Sequence, residues 1–350
     1  MLTKEQILDT ARVKGKIISR DFSDKFSVSR QYVNLLVGEL VRSKRLIKIG
    51  STRNAFYVLP QYVHEHPDIL PNRFLKRFKM SGLEEHAVSM EIEERFPQIA
   101  GLKEHIKSIF DFAFSEMLNN AIEHSNSRSV IVEVSITGDE LWFIISDSGI
   151  GVFRNVMRKN KLKSELEAAQ DILKGKTTTI PKSHTGQGIF FTSKAADTFV
   201  LESFEQMMLV NNKAHNISIR KTIRSKRGTR VVFRISLNSD KHLSDVFKKY
   251  TNLKDESDYG FDKTEIRVKL YIESGINISR SQARRILHGL DKFKVILFDF
   301  DKVPMIGQAF ADEIFRVFKN RHPEIELQEV NMTEAVEFMV KRAKTDAKQS

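Results

Sequence analysis

Apolar positions along the first sixty residues follow a helical period and then switch to strand-like runs. Residues 4–13 predict a first helix with Thr3 as its N-cap, and residues 19–25 a short second one. Residues 30–43 predict a third helix, with Val33, Leu36, Val37 and Leu40 on one face at a spacing of about 3.6 residues. Two strands, 46–49 and 55–58, flank the turn 50–54. Residues 61–105 carry four prolines counted from Pro60 and one helical stretch, 83–96, and read as a connector with a packing helix. In residues 106–240, Phe110, Phe114, Met117, Leu118 and Ala121 form the apolar side of a helix. Strands 130–136 and 141–145 follow, joined by the turn 137–140, and a later strand spans 231–235. Residues 241–263 hold few apolar positions and read as a linker. Residues 264–345 then alternate strand and helix three times, which predicts a parallel βαβαβα unit with right-handed crossovers.

The length of 350 residues fits two or three domains at about 100–200 residues each, and a hydrophobic share of 41% excludes a wholly disordered chain. No apolar run reaches the roughly 18 residues of a membrane span, and the opening MLTKEQILDT lacks a signal core. These features, with no membrane partner indicated, predict a mature cytoplasmic protein. The absence of Cys removes disulfides, thiolate metal sites and Cys nucleophiles. Lys+Arg number 57 and Asp+Glu 45, a net charge of +12. Residues 1–60 alone carry +7, residues 264–350 carry +2, and the 203 residues between carry +3. The basic end predicts a polyanion partner.

The pattern of residues 1–60 resembles a winged helix-turn-helix. On that resemblance Ser29, Arg30, Gln31 and Asn34 sit at the exposed start of a recognition helix, where side chains reach base edges. Arg53 lies in the wing near phosphates, and Arg42, Lys44 and Arg45 flank the backbone. DNA is the partner this implies; winged helices that make only protein contacts are the alternative.

Three motifs between residues 106 and 240 carry candidate chemistry. Glu116, Asn119, Asn120 and Glu123 fall within an arc of about 100° on the polar side of the helix, a set of oxygen donors suited to Mg²⁺ arriving with phosphates. Asp147, Gly149 and Gly151 follow a strand, where the Asp can accept from an exocyclic amine and the glycines leave room beside a flat base. Thr185-Gly186-Gln187-Gly188 precedes an apolar helix, whose free N–H groups suit phosphate. The intervening residues 152–184 are Lys-rich (Lys159, Lys161, Lys163, Lys174, Lys176 and Lys182) and suggest a lid.

In combination and order these motifs resemble the GHKL ATPase superfamily, whose members include gyrase B, heat-shock protein 90, histidine kinases, MutL and anti-sigma-factor kinases. The resemblance covers residues 106–240 and implies the α/β sandwich called the Bergerat fold, with ATP and Mg²⁺ as ligands. It implies that Asn120 chelates Mg²⁺, Asp147 binds the adenine amine, and Gly149 and Gly151 border the base. Gly186 and Gly188 would form the phosphate loop. Thr229, in Arg227-Gly228-Thr229-Arg230, would contact adenine directly or through water, and Glu116 would orient or deprotonate the attacking water or hydroxyl. His124 also falls in the pattern, although a His at a helix end is commonly structural.

Residues 264–345 resemble the STAS anti-sigma-antagonist fold and a STAS-like family of unassigned function, through 295–303 and 307–313. Phosphorylatable STAS domains carry Ser or Thr after this strand, whereas Met305-Ile306-Gly307-Gln308-Ala309 has no hydroxyl. Asp312, Glu313 and Arg316 are spaced either as a functional patch or as a helix-surface ion pair. The multidomain α/β reading is therefore a cytoplasmic regulator: a winged helix for DNA, a GHKL ATPase switch, and a STAS-like unit for a protein partner. An anti-sigma-type serine/threonine kinase acting on a separate protein, and a GHKL ATPase of a DNA-processing or defence system, are the competing readings. A histidine kinase fits poorly, since neither His64-Glu65 nor His86-Ala87 has the acidic-then-Pro context of a phosphoacceptor. Hydrolysis and phosphotransfer share one nucleotide cradle, and a homodimer is compatible with either.

Overall fold

Thr3 starts the first helix as its hydroxyl allows. Its side chain accepts from the Gln6 N–H while the Gln6 side chain accepts from the Thr3 N–H, a reciprocal cap. The computed structural model describes residues 2–50, 55–66, 69, 71–176, 187–251, 261–272 and 279–348. The N-terminal unit runs α1 (Lys4–Lys14), β1 (Lys16–Ile17), α2 (Ser19–Phe26), α3 (Arg30–Arg42), β2 (Ile47–Ile49) and β3 (Phe56–Val58). β3 pairs antiparallel with both β1 and β2. Ile7, Leu8, Phe22, Val33, Val37 and Leu40 form its separate core. β1, at two residues, is too short to show a period in sequence. Residues 51–54, and with them Arg53, lie outside the described residues.

After α4 (Pro60–Glu65), the stretch expected as a connector supplies β4 (Arg73–Lys79), an edge strand of the central sheet, and α5 (Glu85–Arg95). Phe74 and Phe78 of β4 point inward between exposed cations, a period of two that the high Lys/Arg content conceals. The central unit continues with α6 (Glu104–His124), β5 (Ser129–Thr137), β6 (Glu140–Asp147), α7 (Val152–Lys159), α8 (Glu165–Lys174), α9 (Gly188–Ala195), β7 (Thr198–Asn211) and β8 (Asn216–Ser236). The antiparallel sheet has the order β4-β5-β6-β8-β7. The expected hairpin forms: Thr137 pairs with Glu140 and Val130 with Asp147. α6 lays its apolar side on this sheet, where Phe110 and Phe114 meet Phe143 edge-on and Phe143 stacks on Phe233. Such aromatic pairs add about 0.5–1.5 kcal/mol each beyond the area they bury.

The C-terminal unit comprises α10 (Leu243–Tyr250), β9 (Lys263–Arg267), α11 (Arg280–Leu287), β10 (Val295–Asp299), α12 (Gln308–Asp312), a π-helical turn (Glu313–Phe318), α13 (Lys319–Arg321), β11 (Glu326–Val330) and α14 (Glu334–Lys348). β10 lies between β9 and β11 and is parallel to both, as the alternation predicts. Residues 268–271, expected to extend the first strand, instead turn as a 3₁₀ helix. The expected linker is also corrected, because α10 lies within it and buries Tyr250. Tyr250 and Phe247 of α10, Phe261, and Phe190 and Phe191 of α9 form one aromatic cluster continuous with the C-terminal core. Among the described residues no helix is long and apolar enough to cross a membrane.

Candidate functional site

The site begins on α6, which is rigid because eight of its residues are buried, among them Phe114, Met117, Leu118 and Ala121. Its opposite side presents Glu116, Asn119 and Asn120 half-buried and Glu123 exposed. The Asn119 amide donates to Ser115 Oγ at 3.4 Å. The start of α9 closes on this side: Gly188 lies so near Glu116 that an added Cβ would sit 2.9 Å from Cδ and closer still to Oε2. Gly188 and Glu116 are thus brought together. Thr185 and Gly186 lie outside the described residues.

Asp147 ends β6 and is 3% exposed. Its Oδ1 accepts from the Gly149 N–H at 2.8 Å and the Thr229 N–H at 3.2 Å, while among the described residues Oδ2 has no side-chain or backbone partner. Burial pushes the carboxyl above the usual Asp value, against the opposing pull of the Gly149 and Thr229 N–H bonds and of Lys226. The Lys226 ammonium donates to the Asp147 carbonyl at 2.8 Å. Thr229 serves twice, because its Oγ1 also accepts from the Val152 N–H at 3.0 Å, next to Gly151. Asp147, Gly149 and Thr229 therefore form one hydrogen-bonded cradle that reaches Val152, next to Gly151.

The glycines answer first to the chain's own packing. Gly149 lies against the Ser125 carbonyl at the end of α6, leaving no room for a Cβ. Gly151 has φ +82°, and a Cβ there would strike Ser203 and Phe204 of β7. Ser203 is completely buried and its Oγ has no hydrogen-bond partner, beside Gly151 and opposite Thr229 in the β7–β8 register. A buried orphan hydroxyl costs about 1–3 kcal/mol, which a water or ligand atom in the cradle would recover. The free Asp147 Oδ2 and this hydroxyl are what a base carrying an amine and ring nitrogens requires, so the residues present fit an adenine nucleotide.

Motif reading missed Ser203, Lys226 and Arg154. Arg154 of α7 stacks on Phe204 at 3.3 Å and binds Glu165 at 2.7 Å, which holds β7 against Gly151. None of these stands in a recognisable motif; the register of β7 with β8 reveals Ser203 and Lys226, and the packing of α7 on Phe204 reveals Arg154. Of the Lys-rich segment, residues 177–184 lie outside the described residues. α7 and α8 are regular helices, and Lys174 is 4% exposed, donating to the carbonyls of Arg285 at 3.1 Å and His288 at 2.9 Å. Lys176 donates to the Lys292 carbonyl at 2.6 Å. These two cations pin α8 to the C-terminal unit. Lys182 lies outside the described residues.

At the N-terminal unit, Ser29 is the N-cap of α3, its Oγ accepting from the Tyr32 N–H at 3.2 Å. Arg30, Gln31 and Asn34 lie exposed along the first turns of the same helix. Arg45 pairs with Glu5 at 2.9 Å, so its charge is partly spoken for. In the C-terminal unit Arg316 binds Asp312, and Arg284 reaches the buried Glu313 at 2.7 Å, an ion-pair network within the unit.

Residues 84–212 match the family described as histidine kinase-like ATPase domain. Residues 282–337 match a STAS-like domain of unknown function. The chain therefore combines a histidine-kinase-like ATPase domain with a STAS-like domain, as the motif order and the strand–helix alternation lead one to expect. A comparison with curated proteins found no match.

Proposed function

We propose that this chain is an ATP-binding regulator in which the central domain is a switch acting on the units at either end. The observation that carries this reading is Asp147: a buried carboxylate with Oδ1 fixed by two N–H groups and Oδ2 free for the adenine amine. Asn120, with the nucleotide's own phosphate oxygens, would hold Mg²⁺, whose charge offsets that of the phosphates. Gly186 and Gly188 would border the phosphates, and Glu116 would orient or deprotonate a nucleophile beside them.

The route toward the C-terminal unit is α9. Its first residue rests on Glu116, and within the same turn Phe190 and Phe191 enter the C-terminal aromatic cluster. One helix of eight residues thus belongs to both cores, so a shift at its N-terminus must repack that cluster. The N-terminal unit, with three helices, a three-stranded sheet and an exposed α3 start bearing Arg30, Gln31 and Asn34, supports a winged helix that binds duplex DNA. The STAS-like unit would bind a protein partner. Its α12 begins at Gln308 with Gly307 as N-cap, and neither offers a nucleophile, so transfer to a Ser or Thr at this turn has no acceptor here.

The deciding experiment is incubation with γ-labelled ATP, alone and with cell lysate, following free phosphate and labelled protein together. Released phosphate alone supports an ATPase switch, and label on a separate protein supports a kinase. No nucleotide binding by calorimetry would overturn the reading.

A further inference from the structure

The long strand β8 carries a charge anomaly that the nucleotide site does not use. Residues 216–236 contain seven Lys and Arg and no Asp or Glu. In a sheet, such a row is ordinarily matched by carboxylates on the neighbouring strands. Part of it is: Arg230 lies 3.5 Å from Glu202, and Arg234 binds Glu140 at 3.0 Å. Lys226 is spent on the Asp147 and Arg227 carbonyls. The remaining four, Arg220, Lys221, Arg224 and Arg227, are exposed, and among the described residues their side chains have no ion-pair or hydrogen-bond partner.

Those four surround a built irregularity. Lys221 pairs with Gln206 and Lys226 with Phe204, so residues 222–225 are opposed on β7 by Glu205 alone. Thr222 Oγ1 donates to the Arg224 carbonyl at 3.0 Å, closing the bulge on itself. At its crest Ile223 is fully exposed, more so than the other exposed large apolar side chains. Bulges re-aim side chains away from a sheet, and this one lifts an apolar residue out between cations. Its base joins the nucleotide cradle, since Gly228 touches Asp147 and Phe204 touches Gly151.

We propose that the β7–β8 bulge is a second contact for duplex DNA, with Arg220, Lys221, Arg224 and Arg227 on phosphates and Ile223 against the minor groove. Unpaired cations release counterions on meeting a phosphate backbone, and an apolar wedge flanked by cations is the means by which minor-groove proteins engage a duplex. A lone Ile offers too little apolar surface to seat a chain on lipid, where an amphipathic face is needed. The proposal stands independently of α3 and of ATP binding.

The test is fluorescence anisotropy of the full chain with a random-sequence duplex at several salt concentrations. The triple variant R220A/K221A/R224A should bind roughly tenfold or more weakly, with the log–log salt slope reduced by about 0.9 for each phosphate no longer neutralised. Ile223→Ala should weaken binding while leaving the slope unchanged. Circular dichroism and urea unfolding establish that the variants fold. Arg30→Ala in parallel separates this surface from α3: weaker binding in the triple variant alone sustains the bulge even if the α3 reading fails. An unchanged affinity and slope in the folded triple variant overturns the proposal. So does wild-type chain that binds phosphatidylserine vesicles or polyglutamate but no duplex.

Discussion

Gly188 rests on the carboxylate of Glu116, so the helix bearing the candidate base and the helix opening beside the phosphate loop meet where a methyl has no room. Gly188→Ala should therefore push the Glu116 carboxylate aside, at a cost of about 0.5–1.5 kcal/mol, because the end of a flexible side chain can shift its rotamer. Truncating Glu116 removes the obstacle. In a cycle of Gly188→Ala and Glu116→Ala followed by urea unfolding, the double variant should recover at least about 0.5 kcal/mol of that cost relative to the sum of the single variants. Additive costs would mean that something other than this carboxylate excludes the side chain.

Glu116→Gln preserves the shape of that contact and removes the base. Nucleotide affinity should persist while turnover falls by at least about 10²-fold if Glu116 removes a proton. Phosphate release at the wild-type rate would leave Glu116 a positioning role alone.

If Asp147 binds the adenine amine as proposed, it gives up stability for recognition. Burial raises its pKa above the unfolded value, so folding favours the protonated form. The stability this group contributes is fully present below the unfolded pKa and lost as pH rises through the raised folded pKa. Asp147→Asn should thus leave the nucleotide-free protein at least as stable at neutral pH, with the difference vanishing in acid. ATP affinity should fall by the about 1.5–3 kcal/mol of a hydrogen bond to a charged group, because an amide N–H would face the adenine amine. In the wild type, affinity should weaken on acidification sooner than for an ordinary carboxylate. Calorimetry across pH checks both, and unchanged affinity in folded Asp147→Asn would remove the assignment.

How far the chain was readable depends on where each signal resides. The α6 face was legible because Phe114, Met117 and Ala121 mark a helical period that leaves Glu116 and Asn120 together on the other side. The parallel C-terminal sheet was legible because apolar strands alternate with helices of ordinary length. β4 was hidden because only Phe74 and Phe78 face inward in a strand that otherwise reads as basic. Most of β8 was hidden for the same reason, and its charge vanished into a 203-residue window of net +3. The double allegiance of α9 has no sequence signature, since Phe190 and Phe191 look alike whichever core receives them. Ser203 and Lys226 joined the cradle only through strand register.

That double allegiance makes a distinct prediction. Phe191 packs on Phe247 at 4.6 Å and on Phe261 at 5.0 Å between ring centres. Phe191→Ala should cost about 3–5 kcal/mol, the usual range for an emptied aromatic site. If α9 transmits the nucleotide state, Mg·ATP should slow amide exchange in α10 and β10 of the wild type and not of the variant. Equal protection in both proteins would place the transmission elsewhere.

The last prediction concerns the N-terminal unit. Lys48 of β2 approaches Glu94 of α5 at 3.9 Å, and Glu93 of the same helix binds Lys107 of α6 at 2.9 Å. These pairs are largely exposed and contribute little stability individually, but they join the strand beside α3 to the helix bearing Glu116 and Asn120. ATP should accordingly change affinity for duplex DNA by about 5- to 150-fold, or about 1–3 kcal/mol, and DNA should change ATP affinity by the same factor. Arg30→Ala should weaken DNA binding without altering ATP affinity, and Lys107→Ala should reduce the coupling while preserving both affinities measured alone. Anisotropy with and without a non-hydrolysable ATP analogue reads each of these quantities. A DNA affinity indifferent to nucleotide would make the units independent, and duplex binding unaffected by Arg30→Ala would turn α3 toward a protein partner.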